Sequence, residues 1–229
     1  MDTRQAYNDW AAQYDTNLNK TRDLEARSLR MTLEGLIDSP GGLRRGDGSL
    51  PATSEALPFE ACLEIGCGTG KNTVCLIEKA RQITAVDLSE EMLAKARAKL
   101  TTPAVDFVQA DITTDWTFRH KLYDLVTFSL VLEHISDLGP IFREVAASLK
   151  PGGYVYIGEL HPYKQYAGSK ARFETPAGTQ VVDCFNHHVS DFTELPRQYG
   201  LVPVLVNEYF DEDDRSGIPR ILTVVLQKK

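Results

Sequence analysis

Leu63-Glu64-Ile65-Gly66-Cys67-Gly68-Thr69-Gly70 closes a short apolar run, Cys62 to Ile65, with three glycines at alternate positions, and an amphipathic stretch follows. The run reads as a strand and the stretch after Gly70 as a helix. Glycines at such a junction let the backbone turn tightly and lie against a ligand with no Cβ in the way. Outward from this loop the period keeps alternating. Ile83 to Val86 reads as a strand, Glu90 to Leu100 as a helix with Met92, Leu93, Ala96 and Leu100 inward, and Val105 to Val108 as a strand. Leu125 to Phe128 is another strand. Leu138, Ile141, Phe142, Val145, Ala146 and Leu149 share one helical stripe, which Lys150-Pro151-Gly152-Gly153 stops. Tyr154 to Ile157 is the fifth strand. Short, nearly all-apolar strands alternating with helices predict an α/β fold with a parallel sheet covered on both faces. Leu201 to Val206 and Ile221 to Leu226 are two last strands, separated by the acidic loop Asp211-Glu212-Asp213-Asp214. That link is too short for a crossover helix, so the pair is antiparallel. The expected architecture is a doubly wound, mostly parallel seven-stranded sheet ending in an antiparallel hairpin.

Residues 1–58 read as a helical cap and a connector, and 59–229 as the core with an insertion at about 160–190. Ala6, Tyr7, Trp10, Ala11 and Tyr14 fall on one helical face, and Lys20 to Ile37 forms a second helix. Ser39 to Pro58, rich in Gly, Pro and Ser, is the connector. The insertion holds a hairpin around Thr175-Pro176-Ala177-Gly178, and Ser190 caps a short helix reaching Tyr199.

The composition is that of a globular chain: 229 residues, 42% hydrophobic and 25% charged. Its formal charge of −7 disfavours nucleic acid as a partner. The longest apolar stretch, around Leu125 to Leu132, falls far short of the roughly 18 residues needed to cross a membrane. Met1-Asp2-Thr3-Arg4 has no apolar core of a secretion signal, so the expected compartment is the cytoplasm. Cys62, Cys67, Cys75 and Cys184 show no Cys-x-x-Cys spacing, and no metal is expected.

In an open α/β sheet the glycine loop lies at the carboxyl end of a strand, where ligands bind near the switch in strand order. Asp87 ends the second strand seventeen residues after Gly70, placed to accept from the vicinal hydroxyls of a ribose. Asp111 ends the third strand and suits an adenine amino group. Together these strand ends describe a nucleoside across the sheet edge, without fixing its chemistry. A dinucleotide would want Gly-x-Gly-x-x-Gly, and the third glycine of that pattern would fall at Lys71. Glu64 ahead of the loop repels a pyrophosphate and suits a cationic ligand.

At these residues the sequence resembles the class I S-adenosylmethionine-dependent methyltransferases, over roughly Phe59 to Leu160. Glu64, Gly66, Cys67, Gly68 and Gly70 match the first motif, around the methionine and ribose of the cofactor. Asp87 matches the ribose-holding acid, with Leu88 and Met92 beside the adenine, and Asp111 with Ile112 matches the third motif. Tyr123 to Ser129 matches the fourth strand, whose end, at Ser129, faces the reacting methyl. Leu149 to Gly153 matches the motif before the fifth strand. Tyr7-x-x-Trp10-x-x-x-Tyr14-Asp15 and Glu133-His134 look like the small-molecule branch that includes ubiquinone and menaquinone methyltransferases.

The resemblance implies S-adenosylmethionine as cofactor and methyl transfer to an oxygen or nitrogen of a small-molecule acceptor, in a monomer or homodimer. Such a displacement needs alignment and exclusion of water, and a base where the acceptor carries a proton. His161, just past the fifth strand, and His134, after the fourth, are the catalytic candidates. Tyr14 is expected over the cofactor; Tyr7, Trp10, Tyr163, Tyr166 and His187 are expected around the acceptor. Two alternatives stand beside this reading: N-methylation of a protein or peptide, favoured by the acidic loop, and a non-catalytic cofactor-binding module.

Overall fold

Asp2 starts helix α1 (Thr3–Trp10) by accepting from the Gln5 amide, and α2 (Lys20–Asp38) follows a run of turns. The computed structural model describes residues 2–38, 57–175 and 178–229, so most of the expected connector lies outside the described residues. Then come β1 (Phe59–Ile65), α3 (Thr73–Ile77), β2 (Ala80–Asp87), α4 (Glu90–Lys99), β3 (Val105–Gln109), β4 (Tyr123–Ser129), α5 (Leu138–Ser148) and β5 (Leu149–Leu160). The insertion contributes α6 (Pro162–Tyr166) and the hairpin β6 (Arg172–Thr175) with β7 (Gly178–Val181), whose tip residues 176–177 are outside the described set. The chain ends with α7 (Val189–Thr193), β8 (Leu201–Tyr209) and β9 (Ile221–Lys228).

The main sheet has seven strands in the order β3-β2-β1-β4-β5-β9-β8. The first five are parallel, and β9 runs antiparallel to both β5 and β8. The direction of strand succession reverses between β1 and β4, which opens a crevice at their carboxyl ends. Alternate strand residues feed the two faces. Leu63, Ile65, Val126, Phe128 and Val155 pack under α5, while Cys62, Ile83, Leu125 and Tyr156 pack under α2, α3 and α4. Helix α2 is thus a covering layer of the sheet, with Leu29 and Leu33 fully buried against it.

Four boundaries differ from the sequence expectation. Helix α1 stops at Trp10, so Tyr14 sits in the turns beyond it. Strand β5 begins at Leu149, and Lys150 to Gly153 bulge out of the ladder between the Tyr123–Leu149 and Leu125–Tyr154 pairs, which accommodates the proline. His188, not Ser190, precedes α7; Asp191 accepts from its backbone N–H and satisfies the helix start. Leu100 caps α4 half-buried instead of pointing inward.

Candidate functional site

The loop after β1 is held to β2 by its backbone. Gly66 and Cys67 N–H both donate to the Val86 carbonyl, at 2.8 and 3.0 Å. Gly66 has φ +72°, and a Cβ built there would lie 2.1 Å from Val131 Cγ2. No side chain fits at that position. Gly68 has φ +53° and open space where its Cβ would be, on the cavity side of the loop. Its N–H donates to Asp87 Oδ2 at 2.8 Å, while Ser89 N–H donates to Oδ1 at 2.9 Å. These bonds fix the carboxylate at the end of β2, and burial raises its pKa above the ordinary value. Asp111 is oriented in the same manner, with Oδ1 accepting from the amide and hydroxyl of Thr113.

These residues line a cavity of about 240 Å³ at the β1–β4 crevice. Asp87, Leu88, Asp111 and Ile112 wall one end. Ser129, Leu130 and Val131 form the floor beyond β4, and Tyr7, Tyr14 and His134 stand at the other side. Leu130 holds φ +57°, a strained conformation for a branched side chain, with its N–H donating to the Gly158 carbonyl. No sequence signal marked it.

A smaller hollow of about 40 Å³ continues from the cavity along the glycine loop, lined by Glu64, Cys67, Arg22, Glu25, Lys71 and Asn72 among others. Burial pushes the Glu25 carboxyl up to about 7, although Asn72 and Tyr156 donate to it. Burial likewise pushes Glu64 up to about 8, with Thr73 donating to it and the Glu25 and Asp87 charges adding to the rise. Arg22 stacks 3.9 Å from the Tyr14 ring centroid, and its Nε is buried without a partner. Two carboxylates and a guanidinium beside one loop suit the ammonium and carboxylate of an amino acid. Glu25 and Arg22 lie on α2, too far along the chain for any local motif to reveal.

Tyr7 and His134 meet across the cavity side. The Tyr7 hydroxyl lies 2.9 Å from His134 Nε2, and His134 Nδ1 lies 3.0 Å from the Asp183 carbonyl. The carbonyl only accepts, so Nδ1 carries the proton and Tyr7 donates to Nε2. Burial raises the Tyr7 pKa well above the ordinary 10, so the phenol stays protonated. Asp15 was missed among the candidates: its carboxylate accepts from Thr69 in the glycine loop at 2.5 Å and pairs with Lys99 at 2.9 Å. It ties the N-terminal segment to the loop. The acid after Tyr14 was visible in the sequence, but its partners were not.

Other candidates lie elsewhere. His161 caps α6, accepting from Tyr163 N–H at Nδ1 and contacting Glu208 at Nε2, 3.0 Å away; burial lowers its pKa against the pull of that carboxylate. It is outside the cavity wall. His187 braces the turn Leu132–His134, its Nε2 lying 3.1 and 2.8 Å from the Leu132 and Ile135 carbonyls. Trp10 stacks on Phe173 at 5.1 Å, in a buried cluster with Met92 and Ala6, and neither Trp10 nor Met92 reaches the cavity. Tyr163 and Tyr166 are exposed, the latter paired with His188 at 2.6 Å. Gly70 allows the turn below the loop, where a Cβ would press on Leu100.

Residues 63–157 match a methyltransferase-domain family. Ubiquinone biosynthesis O-methyltransferases are similar in sequence. That of Hydrogenovibrio crunogenus is 29% identical over 155 residues, 64% of this chain and 64% of that protein. That of Bordetella bronchiseptica is 30% identical over 164 residues, 68% of each. The shared stretch therefore spans about two-thirds of these relatives' length. A solved structure, DhpI in complex with SAH, superposes with a TM-score of 0.71 at 23% identity, covering 98% of this chain and 94% of that one. The chain belongs to the class I S-adenosylmethionine-dependent methyltransferases.

The residues present fit that family's cofactor. The open space over Gly68 is a cradle that a side chain would fill, and it leads to Asp87, whose oxygens keep lone pairs for ribose hydroxyls. Asp111 and Ile112 line the same cavity as Asp87, and the smaller hollow offers charges of both signs.

Proposed function

We propose that this chain transfers a methyl group from S-adenosylmethionine to an oxygen or nitrogen of a small-molecule acceptor held against Tyr7 and His134. One observation carries the reading: a single cavity runs from Asp87 and Asp111 past the end of β4 to the Tyr7–His134 pair. A nucleoside at the first end directs its sulfonium toward Ser129, and an acceptor at the second lies in line with it. The bound cofactor supplies the electrophilic methyl; the chain orients the two reactants and excludes water. Tyr7 and Tyr14 provide the covering wall, and His134 the fixed polar group facing the acceptor. The relatives named for ubiquinone biosynthesis support oxygen as the receiving atom.

The acidic loop gives little support to a basic protein partner, because three of its four acids already have a cation beside them and Asp214 accepts from Ser216. Asp211 pairs with Arg220 at 2.5 Å, Asp213 with Arg27 at 2.9 Å and Glu212 with Lys20 at 3.9 Å. Among the described residues no helix is long and apolar enough to cross a membrane. The four free thiols support a reducing compartment, which we take to be the cytoplasm, with the chain working as a monomer or a homodimer.

Methyl-labelled S-adenosylmethionine incubated with the protein and a cell extract tests the reading. Label is expected in the small-molecule fraction. Label confined to polypeptide would overturn the acceptor class, and cofactor binding with no transfer to any fraction would favour the non-catalytic module.

A further inference from the structure

Where the insertion returns to the core, it meets the turn after β4 in a cluster from which methyl transfer uses only His134. Glu133, His134 and Cys184 each offer one ligand atom, and the three atoms lie within 4.8 Å of one another. His134 Nε2 is 3.9 Å from Glu133 Oε1, and its Nδ1 is 3.9 Å from Cys184 Sγ. Glu133 is only 5% exposed; Gln165 and the Cys184 thiol lie against its carboxyl, yet its Oε2 is buried with no hydrogen-bond partner. A buried carboxylate oxygen without a donor is costly, and a cation relieves it. Among the described residues, its ion pair is with His134 and with no lysine or arginine.

The donors also match one class of ion. Imidazole nitrogen, thiolate and carboxylate form the mixed set that suits zinc and its neighbours rather than calcium or magnesium. A dication neutralises the two negative charges that ionised Cys184 and Glu133 would place in this buried spot. The outer shell is already present for either ring nitrogen. If Nε2 binds the metal, Nδ1–H donates to the Asp183 carbonyl; if Nδ1 binds it, Nε2–H faces the Tyr7 oxygen.

We propose that Glu133, His134 and Cys184 bind a zinc-class divalent cation, which clamps the end of the insertion onto the turn after β4. As the metal–sulfur bond forms, the Cys184 thiol releases its proton to solvent. Three protein ligands leave one tetrahedral position for water. With its ring so held, His134 serves the acceptor as a fixed wall and not as a proton carrier. The clamp stands independently of the cofactor hollow, and its test needs no acceptor.

Full-length protein dialysed against a chelator is titrated with zinc alone by calorimetry, and separately with cobalt(II) in the spectrophotometer. One equivalent should bind, cobalt should show a thiolate charge-transfer band, and zinc should protect Cys184 from iodoacetamide, read by peptide mass spectrometry. Cys184→Ser should abolish the band, and Glu133→Gln should weaken zinc by about tenfold or more. The proposal is overturned by no binding at tens of micromolar zinc, by a cobalt spectrum without the band, or by unslowed alkylation of Cys184. Stoichiometric binding undiminished in Cys184→Ser would equally overturn it. Protection in the unaltered chain decides the matter should either variant fail to fold.

Discussion

The two ends of the cavity are built in different ways. The end at Asp87 and Asp111 is made of backbone turns and carboxylates at the tips of β1, β2 and β3, each fixed by amides within its own loop or the adjoining one. The end at Tyr7 and His134 is made of groups from three distant segments, joined by single contacts such as Tyr7 to His134 and His134 to the Asp183 carbonyl. A sheet edge gives a rigid seat for an invariant ligand. A junction of side chains gives a wall that changes with few substitutions, which suits an acceptor that differs among relatives on one fold.

The contrast can be broken first at the rigid end. Gly66→Ala would drive a Cβ into Val131 at a positive φ, and should remove cofactor binding while lowering folding stability by about 3 kcal/mol, measured by calorimetry and denaturant titration. Asp87→Ala should weaken S-adenosylmethionine by roughly 1–3 kcal/mol, about a 5- to 150-fold rise in Kd. Unchanged affinity would remove the ribose from that end.

Next in size is a pH effect. Glu25 and Glu64, raised from 4.5 to about 7 and about 8 by burial, hold protons that the unfolded chain gives up above about 4.5. Their contribution to stability is complete at pH 4 and declines as pH rises through 7 and 8, so the melting temperature of the cofactor-free protein should fall over that span. A methionine ammonium favours the ionised carboxylates, so cofactor affinity should rise over the same span. A flat profile would mean that the smaller hollow does not take the tail. The smallest effect is at the junction: Tyr7→Phe removes one hydrogen bond of about 1 kcal/mol, and should slow turnover several-fold while leaving cofactor affinity unchanged.

The same contrast explains what the sequence disclosed. Gly66, Gly68, Asp87 and Asp111 were legible because each sits at a strand end fixed by local period and spacing. Ser129 and Tyr14 also reach the cavity. His161 was misplaced because proximity to a strand end says nothing of side-chain direction, and Glu208 on β8 draws it aside. His187 turns to two backbone carbonyls, and Trp10 to Phe173, through contacts of long sequence separation. Glu25 and Leu130 carried no signal, and Asp15 stood in a quoted motif without its partners, since these roles exist only once α2, the glycine loop and the turn after β4 are together.

A crystal structure with S-adenosylhomocysteine tests the central claim most directly. The ribose hydroxyls should lie on the Asp87 carboxylate, the base beside Asp111 and Ile112, and the sulfur should face Ser129 with open space toward Tyr7 and His134. A nucleoside seated away from Asp87, or a sulfur turned from the Tyr7–His134 pair, would contradict the account.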